Sequence, residues 1–79
     1  MFYYTYVLRS IKDEQLYIGF TNDLKNRIAM HNTGKVDATK SRRPLELVYY
    51  EACKEEKLAL KREKYFKTGY GRRFLKERI

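Results

Sequence analysis

The sequence lacks most of the features that would stabilise or anchor a small protein by means other than its own core. It has one cysteine, Cys53, so an internal disulfide and a cysteine-based metal site are excluded, and a reducing cytoplasm is the expected compartment. No apolar run approaches the roughly 18 residues that a membrane-spanning helix needs. The first residues lack a basic segment and a small-residue cleavage site, so we expect no export signal. One domain with one modest core, residues 1–79, is the expected organisation.

Several common catalytic patterns are missing as well. The acidic residues are scattered along the chain, and none forms the converging cluster that holds two metal ions about 4 Å apart. The cysteine and histidine spacing of zinc sites is absent, as are a glycine-rich phosphate loop and a Ser-His-Asp set. The metal site that remains is a single hard cation bound by one carboxylate and waters, an arrangement that Mg²⁺ accepts.

Positive charge is what the chain has in excess. Eighteen lysines and arginines against ten aspartates and glutamates leave a net charge of +8. On so small a domain this charge favours a polyanionic partner. Nucleic acid is favoured over a membrane surface, because no segment combines a basic helix face with a broad exposed apolar face. An ordinary basic, soluble protein is the alternative interpretation.

The hydrophobic pattern predicts an α/β (α+β) fold: a small three-stranded antiparallel sheet flanked by helices. Strands are predicted at residues 2–9, 16–21 and 45–52, with the first two forming a hairpin. In the third strand, Leu45, Leu47 and Tyr49 are expected to share one face. Helices are predicted over residues 22–32, 54–68 and 72–78. Thr21 or Asn22 is the expected N-cap of the first helix, and Gly34 and Gly69 are the expected stops of the first two.

The register of the hairpin decides which side chains of its two strands can meet. A turn centred on residues 12–15 pairs positions whose numbers sum to 27, which places Tyr6 opposite Thr21 and Tyr17 opposite Ser10. Alternation then puts Tyr6, Tyr17 and Gly19 on one face, with the two tyrosines about 13 Å apart along the strands. A register shift of one residue would separate the tyrosines onto opposite faces.

Three ionisable residues on predicted helices are candidates for a site. Arg27 and His31 are four residues apart, so they lie together on the first helix, beside its apolar stripe. Glu63 falls on or beside the inward stripe of the second helix, where a carboxylate is costly unless it is paired or metal-bound. Each of these residues also has a purely structural interpretation. Glu63 could form a salt bridge with a neighbouring cation, Arg27 could be a solvated helix cation, and His31 could interact with the helix C-terminus.

The spacing of these residues resembles the paired signature of the GIY-YIG nuclease superfamily. The segment 17–19 (Tyr-Ile-Gly) matches the second half letter for letter, and the segment 4–6 (Tyr-Thr-Tyr) keeps the final tyrosine of the first half, eleven residues before Tyr17. Arg27 falls ten residues after Tyr17, where the family places its arginine. His31 and Glu63 match a histidine found in many members and the metal-binding glutamate.

Shorter stretches extend the resemblance over nearly the whole chain. Residues 31–35, 42–44 and 60–63 are similar to the small single-domain bacterial branch, which is often described as similar to the N-terminal nuclease domain of the excinuclease C subunit. The late asparagine that family members often carry has no counterpart after Glu63.

The resemblance implies a metal-dependent endonuclease that hydrolyses phosphodiester bonds in DNA, with repair intermediates or structured DNA as candidate substrates. It implies in-line attack by water, and Glu63 would hold one Mg²⁺ or Mn²⁺ ion. Tyr6 would be the general base or would orient the water. His31 is either the rival base or a relay hydrogen-bonded to a tyrosine. Arg27 would stabilise charge on the phosphate, and Tyr17 would position the phosphate or the water.

The remaining expectations concern binding. A set of basic residues is expected to contact phosphates rather than to read sequence: Lys35, Lys40, Arg42, Arg43, Arg72 and Arg73. DNA is favoured over RNA. Gly19 serves either the close approach of backbone and substrate or simple strand–helix packing. The alternative function is a nucleic-acid-binding module that is catalytically weak or inactive and needs a protein partner for specificity.

Overall fold

The structure, a computed structural model that describes residues 1–79, has a three-stranded antiparallel sheet with helices on both faces. Its elements in chain order are β1 (Tyr3–Ser10), β2 (Leu16–Thr21), α1 (Leu24–Asn32), β3 (Leu45–Cys53), α2 (Glu56–Phe66) and α3 (Gly69–Lys76). A single 3₁₀ turn, Lys40–Arg42, interrupts the connection between α1 and β3. The strand order is β2-β1-β3, so β1 is the central strand. The predicted α+β class is therefore confirmed. No helix has both the length and the apolar character needed to cross a membrane.

The alternation of side chains along β1 divides the core into two layers. One layer lies between the sheet and the pair α2 and α3, and its buried members are Val7, Ile18, Phe66 and Leu75. The other lies between the sheet and α1, and its members are Tyr6, Leu8 and Leu45, with Leu24 and Ile28 packed against them.

Residues with odd numbers in β1 thus face α2 and α3, whereas Tyr6 and Leu8 face α1. This division places Tyr6 under the helix that carries Arg27 and His31.

The hairpin register differs from the predicted one by two residues. Paired positions sum to 25, so that Tyr6 lies opposite Gly19 and Tyr17 lies opposite Leu8. The turn is shifted because Glu14 adopts a left-handed conformation with φ of 61° and the Ser10 amide closes the loop on Gln15. Since a shift of two leaves side-chain faces unchanged, Tyr6, Tyr17 and Gly19 still share one face. The offset between the two tyrosines along the strands falls from about 13 Å to about 7 Å.

The third strand does not alternate as predicted. Val48 is an extra residue in β3, at a β-bulge where the pairing with β1 shifts by one. Tyr49 therefore faces α2 and α3, where its ring packs edge-on against Phe66 with centroids 6.0 Å apart. The prediction that Tyr49 shares a face with Leu45 and Leu47 is wrong, because a bulge reverses the alternation beyond it.

Two helix starts also differ from prediction. Asp23, rather than Thr21 or Asn22, caps α1, because its carboxylate accepts the Asn26 amide at 3.2 Å. Gly69 opens α3 instead of stopping α2. The Thr68 hydroxyl makes this start by accepting a backbone amide of the first turn of α3 at 3.1 Å. The connection between α2 and α3 is consequently only two residues long.

Candidate active site

A buried tyrosine–histidine pair forms the centre of the site. Tyr6 from β1 and His31 from the last turn of α1 are 1% and 0% exposed. The Tyr6 Oη atom lies 2.8 Å from the Nε2 atom of His31, and the two rings meet edge-on with centroids 5.6 Å apart. The pair forms because Tyr6 points from the central strand towards α1. The structure therefore contains the hydrogen bond between His31 and a tyrosine hydroxyl that a relay requires.

Arg27 and Tyr17 surround this pair. Arg27, one turn before His31, donates from Nε to Tyr6 Oη at 3.4 Å. The Tyr17 ring lies 5.1 Å from the His31 ring and 6.5 Å from the Tyr6 ring, measured between centroids. Both Arg27 and Tyr17 are half-buried, so they lie between the buried pair and the surface. Four of the five predicted catalytic residues thus meet around one phenol oxygen.

Gly19 has a role in this geometry that neither expected alternative describes. It lies directly opposite Tyr6 on β2. A Cβ atom built on Gly19 would collide with the Tyr6 ring at its hydroxyl end. The glycine therefore provides the space over which the Tyr6 ring lies, and it allows the hydroxyl to reach His31.

The electrostatics of the site favour neutral forms of both Tyr6 and His31. Burial raises the pKa of Tyr6, the hydrogen bond from Arg27 opposes the rise, and the nearby Tyr17 and Glu63 add to it. Burial, with the positive charge of Arg27 as a second cause, lowers the pKa of His31 to about 4. At neutral pH the site therefore holds a phenol and a neutral imidazole. A neutral imidazole has one protonated and one bare nitrogen.

A third buried residue, Thr39, contacts His31, and the sequence did not predict it. The Oγ1 atom of Thr39 lies 2.7 Å from the Nδ1 atom of His31, and Thr39 is 0% exposed. Thr39 belongs to the irregular segment 33–44, where no hydrophobic period marks an inward-facing position. Its burial depends on the path of that segment back towards α1, for which the sequence carries no local signal.

Glu63 is carried by a different helix from Arg27 and His31. It belongs to α2, which packs on the opposite face of the sheet from α1. Its side chain is 22% exposed, and its partner is Lys67, whose Nζ atom lies 3.5 Å from the carboxylate. This is the salt bridge that the sequence left open as an alternative. The carboxylate nevertheless contributes to the raised pKa of Tyr6, so the two groups interact electrostatically.

The chain offers few clustered ligands for a divalent cation. No three His, Cys, Asp or Glu side chains are grouped closely enough to hold an ion. Without such a group, an ion could be bound by one carboxylate of the protein, with waters and substrate oxygens as its other ligands. Mg²⁺ accepts such a set, because it keeps several waters and binds through one or two carboxylates. Glu63 therefore fits a metal ion of this type.

The predicted phosphate-contacting residues fall into two groups on different faces. Lys35, Lys40 and Arg43 are exposed in the segment that follows α1, and Arg72 and Arg73 are exposed on α3, across the sheet. Arg42 differs from the others. It forms an ion pair with Asp13 at 3.3 Å and a hydrogen bond to the Leu16 carbonyl at 3.5 Å, so it ties the segment 33–44 to the hairpin.

The structure is thus a small α+β domain whose three-stranded sheet carries the buried Tyr6–His31 pair, with the half-buried Arg27 beside it. The family model of the GIY-YIG catalytic domain matches residues 2–77. The chain belongs to the GIY-YIG family, which confirms the predicted resemblance. Membership supports a nuclease that acts on nucleic acid with a divalent metal ion.

Relatives of known sequence or structure agree with this assignment. The chain is similar to a UPF0213 protein of Bacillus pumilus (strain SAFR-032), with 45% identity over 67 residues that cover 84% of this chain and 67% of the relative. A UPF0213 protein of Lactiplantibacillus plantarum is 47% identical over 68 residues, which cover 82% of this chain and 66% of the relative. The aligned region thus spans about two thirds of these relatives.

A solved structure supports the fold. The solution NMR structure of the UPF0213 protein BH0048 from Bacillus halodurans superposes with a TM-score of 0.60 at 31% identity, covering 98% of this chain and 84% of that one.

Proposed function

We propose that this protein is an endonuclease that hydrolyses phosphodiester bonds in DNA with one Mg²⁺ or Mn²⁺ ion. The observation that carries the proposal is the double contact on the Tyr6 hydroxyl. Arg27 donates to its oxygen at 3.4 Å, and Nε2 of His31 lies 2.8 Å from the same atom. One phenol oxygen is thus held by a cation on one side and faces a proton acceptor on the other.

The proton transfer runs from water through Tyr6 to His31. A free phenol has a pKa of about 10, so ionising it at pH 7 costs roughly 4 kcal/mol, and burial raises the pKa of Tyr6 further. A resting phenolate is therefore unfavourable. Instead, Tyr6 Oη takes a proton from the attacking water as its own proton moves to Nε2 of His31. The tyrosine ends the step as a phenol, and the positive charge resides on the imidazole.

Arg27 and Tyr17 would act on the phosphate. The Arg27 guanidinium contacts Tyr6 through Nε, so its terminal nitrogens, which Tyr17 can also approach, are directed away from that bond and can bind a phosphate oxygen. Charge-assisted bonds from these nitrogens would strengthen as negative charge develops on the phosphate in the transition state. Tyr17, half-buried beside His31, would orient the phosphate or the attacking water.

Glu63 would hold the metal ion. Its ion pair with Lys67 joins residues four apart on α2, and the Lys67 side chain is 55% exposed, so the pair is weak and a divalent cation can displace it. The ion, when bound, would neutralise the charge that develops on the leaving oxygen.

A nicking assay with a matched pair of variants tests the proposal. Supercoiled plasmid and branched DNA are incubated with the protein and Mg²⁺ or Mn²⁺. Glu63→Gln, which keeps the shape but removes the charge, is expected to lower cleavage at least 100-fold. Glu56→Gln is the control, because Glu56 is exposed on the first turn of the same helix. Equal cleavage by wild type and Glu63→Gln contradicts the metal assignment.

The burial of the centre favours one alternative function, a nucleic-acid-binding module without turnover. Tyr6 and His31 are almost inaccessible, and none of the surface grooves is lined by any of the five predicted catalytic residues. Such a module would need a protein partner for specificity, whereas cleavage would need a movement of the Arg27 and Tyr17 side chains to expose the phenol. DNA binding by both wild type and Glu63→Gln, with cleavage by neither, would identify the binding module.

A further inference from the structure

The second ring nitrogen of His31, Nδ1, lies within hydrogen-bonding distance of Thr39. We propose that Thr39 is a positioning residue that accepts a hydrogen bond from Nδ1–H of His31 and thereby keeps Nε2 unprotonated and directed at the Tyr6 hydroxyl. The geometric basis is the chain of contacts from Arg27 Nε to Tyr6 Oη, from Tyr6 Oη to His31 Nε2, and from His31 Nδ1 to Thr39 Oγ1, at 3.4, 2.8 and 2.7 Å. The effect of Thr39 on cleavage rests on the proposed nuclease function, whereas the assignment of the His31 tautomer does not depend on that function.

The hydrogen bonds of the centre favour this tautomer. If Nδ1 carries the proton, each link has one donor and one acceptor: Arg27 donates to Tyr6, Tyr6 donates to His31, and His31 donates to Thr39. If Nε2 carries the proton, Tyr6 Oη faces two donors and its own hydrogen has no acceptor. If Nδ1 carries it, the hydrogen left without a partner is that of the Thr39 hydroxyl. An unsatisfied hydroxyl hydrogen in a fully buried position is unfavourable. The threonine hydroxyl can rotate towards other acceptors, whereas a phenol hydrogen stays near the plane of its ring, so the arrangement with a bare Nε2 is the less costly one.

Thr39 can impose the choice because its position is fixed by its backbone. Its amide donates to the Val36 carbonyl at 3.1 Å, and its carbonyl accepts the Arg42 amide at 2.9 Å. The Arg42 carbonyl in turn accepts the buried Ser10 hydroxyl at 2.7 Å, which anchors the 3₁₀ turn to β1. The threonine hydroxyl is thus held beside the imidazole by the fold, and the hydrogen bond that one ring nitrogen makes sets the protonation of the other.

The first test observes the tautomer directly by ¹⁵N NMR of imidazole-labelled protein, which carries a single histidine. Wild type at pH 7, without DNA or metal, is expected to show protonated Nδ1 and bare Nε2 in at least tenfold excess. Thr39→Val, which keeps the volume but removes the acceptor, is expected to lose this preference, and Thr39→Ser to restore it.

Controls keep this test decisive. Thr33→Val makes the same change at an exposed position of the same segment and is expected to leave the tautomer unchanged. If Thr39→Val does not fold, the wild-type spectrum and Thr39→Ser still decide. A wild type with protonated Nε2, or a folded Thr39→Val with an unchanged tautomer, overturns the proposal. Neither result depends on nuclease activity.

The second test separates positioning from binding in the cleavage reaction. Thr39→Val is expected to lower kcat about 10- to 100-fold with little change in KM, because it misdirects a proton acceptor. Lys40→Ala, one residue further along, is expected to raise KM instead. A Thr39→Val variant altered only in KM would assign Thr39 to substrate binding and contradict the positioning role. If wild type shows the expected tautomer but no cleavage, the nuclease proposal fails and the tautomer assignment stands.

Discussion

At the scale of single residues, the site depends on how closely Tyr6 can approach its neighbours. The ring lies over Gly19, its hydroxyl contacts His31, and Arg27 holds the same oxygen. The tyrosine and the glycine of the two sequence motifs therefore serve one purpose, since the glycine creates the space that the tyrosine fills. This physical link between the motifs explains why they face each other across the hairpin.

Substitution of the motif glycine tests this link. Gly19→Ala places a methyl group against the Tyr6 ring, and the ring must shift because it is buried. We expect unfolding free energy to fall by about 1–3 kcal/mol, the usual range for overpacking, and the Tyr6–His31 hydrogen bond to be disturbed. Urea denaturation measures the loss. Gly69→Ala is the matched control, because a Cβ there meets nothing within 4 Å. Equal stability of the two variants would contradict the packing role of Gly19.

The neutral His31 predicts a pH dependence of stability. Its pKa is about 4 in the folded protein, against about 6.5 in an unfolded chain, so the unfolded state binds more protons between these values. Stability is therefore full above about pH 6.5 and falls as the pH drops towards 4, by about 3 kcal/mol from this group. His31→Gln removes this contribution but keeps every other titrating group. The difference between wild type and His31→Gln, measured by denaturation from pH 7 to pH 4, should show the decline. A constant difference would contradict a buried neutral imidazole.

At the scale of elements, the sequence predicted which strands and helices form better than where each begins. The α+β class and the shared face of Tyr6, Tyr17 and Gly19 follow from hydrophobic period and alternation, which are local properties. The hairpin register does not, because it depends on the left-handed residue Glu14 in the turn. The bulge at Val48 is equally invisible in sequence, since it is defined by the partner strand.

In the candidate site too, local patterns predicted some positions, whereas others depend on how distant parts of the chain pack. Arg27 and His31 are one turn apart on a helix, so their proximity could be predicted. Thr39 could not, because its burial depends on an irregular segment that folds back over eight residues to reach His31. Glu63 was expected on or beside the inward stripe of its helix, and its side chain is 22% exposed. Its position relative to the other four residues depends on how α2 crosses the sheet, which no pattern within α2 determines.

Arg62 links three elements and provides a test at this scale. Its guanidinium binds both oxygens of Glu51 on β3, at 2.7 and 2.8 Å. It also lies about 5 Å from three ring centroids on α2 and α3, those of Tyr65, Phe66 and Phe74.

We expect Arg62→Lys to destabilise the protein by about 1 kcal/mol, because lysine keeps the charge but loses the bidentate bond and the stacking. Both side chains of the ion pair are about one third exposed, which limits the effect. Thermal or urea unfolding measures the change, with Lys61→Arg at the exposed neighbouring position as the control. An unchanged stability in Arg62→Lys would show that charge alone accounts for the contact.

At the scale of the whole molecule, the exposed basic residues that were expected to contact phosphates lie in two separate parts of the chain. The segment after α1 carries Lys35 and Lys40 on the side of Tyr6 and His31, and α3 carries Arg72 and Arg73 on the other side. In the proposed function, a substrate phosphate held by Arg27 would bring the neighbouring phosphates towards the first group. The arrangement therefore predicts that the two groups contribute unequally to DNA binding, although both were expected to contact phosphates.

Salt dependence of DNA binding measures this inequality. Each phosphate contact adds about 0.9 to the slope of log affinity against log salt concentration, because counterions are released from the DNA. Replacing Lys35 and Lys40 together by alanine is expected to reduce the slope by about two. Replacing Arg72 and Arg73 together is expected to reduce it by less than one, since α3 lies across the sheet from the proposed site. Fluorescence anisotropy between 50 and 200 mM salt gives both slopes for the same oligonucleotide. Equal reductions would mean that DNA contacts both faces, and a larger effect of the α3 pair would place the bound phosphates away from Arg27.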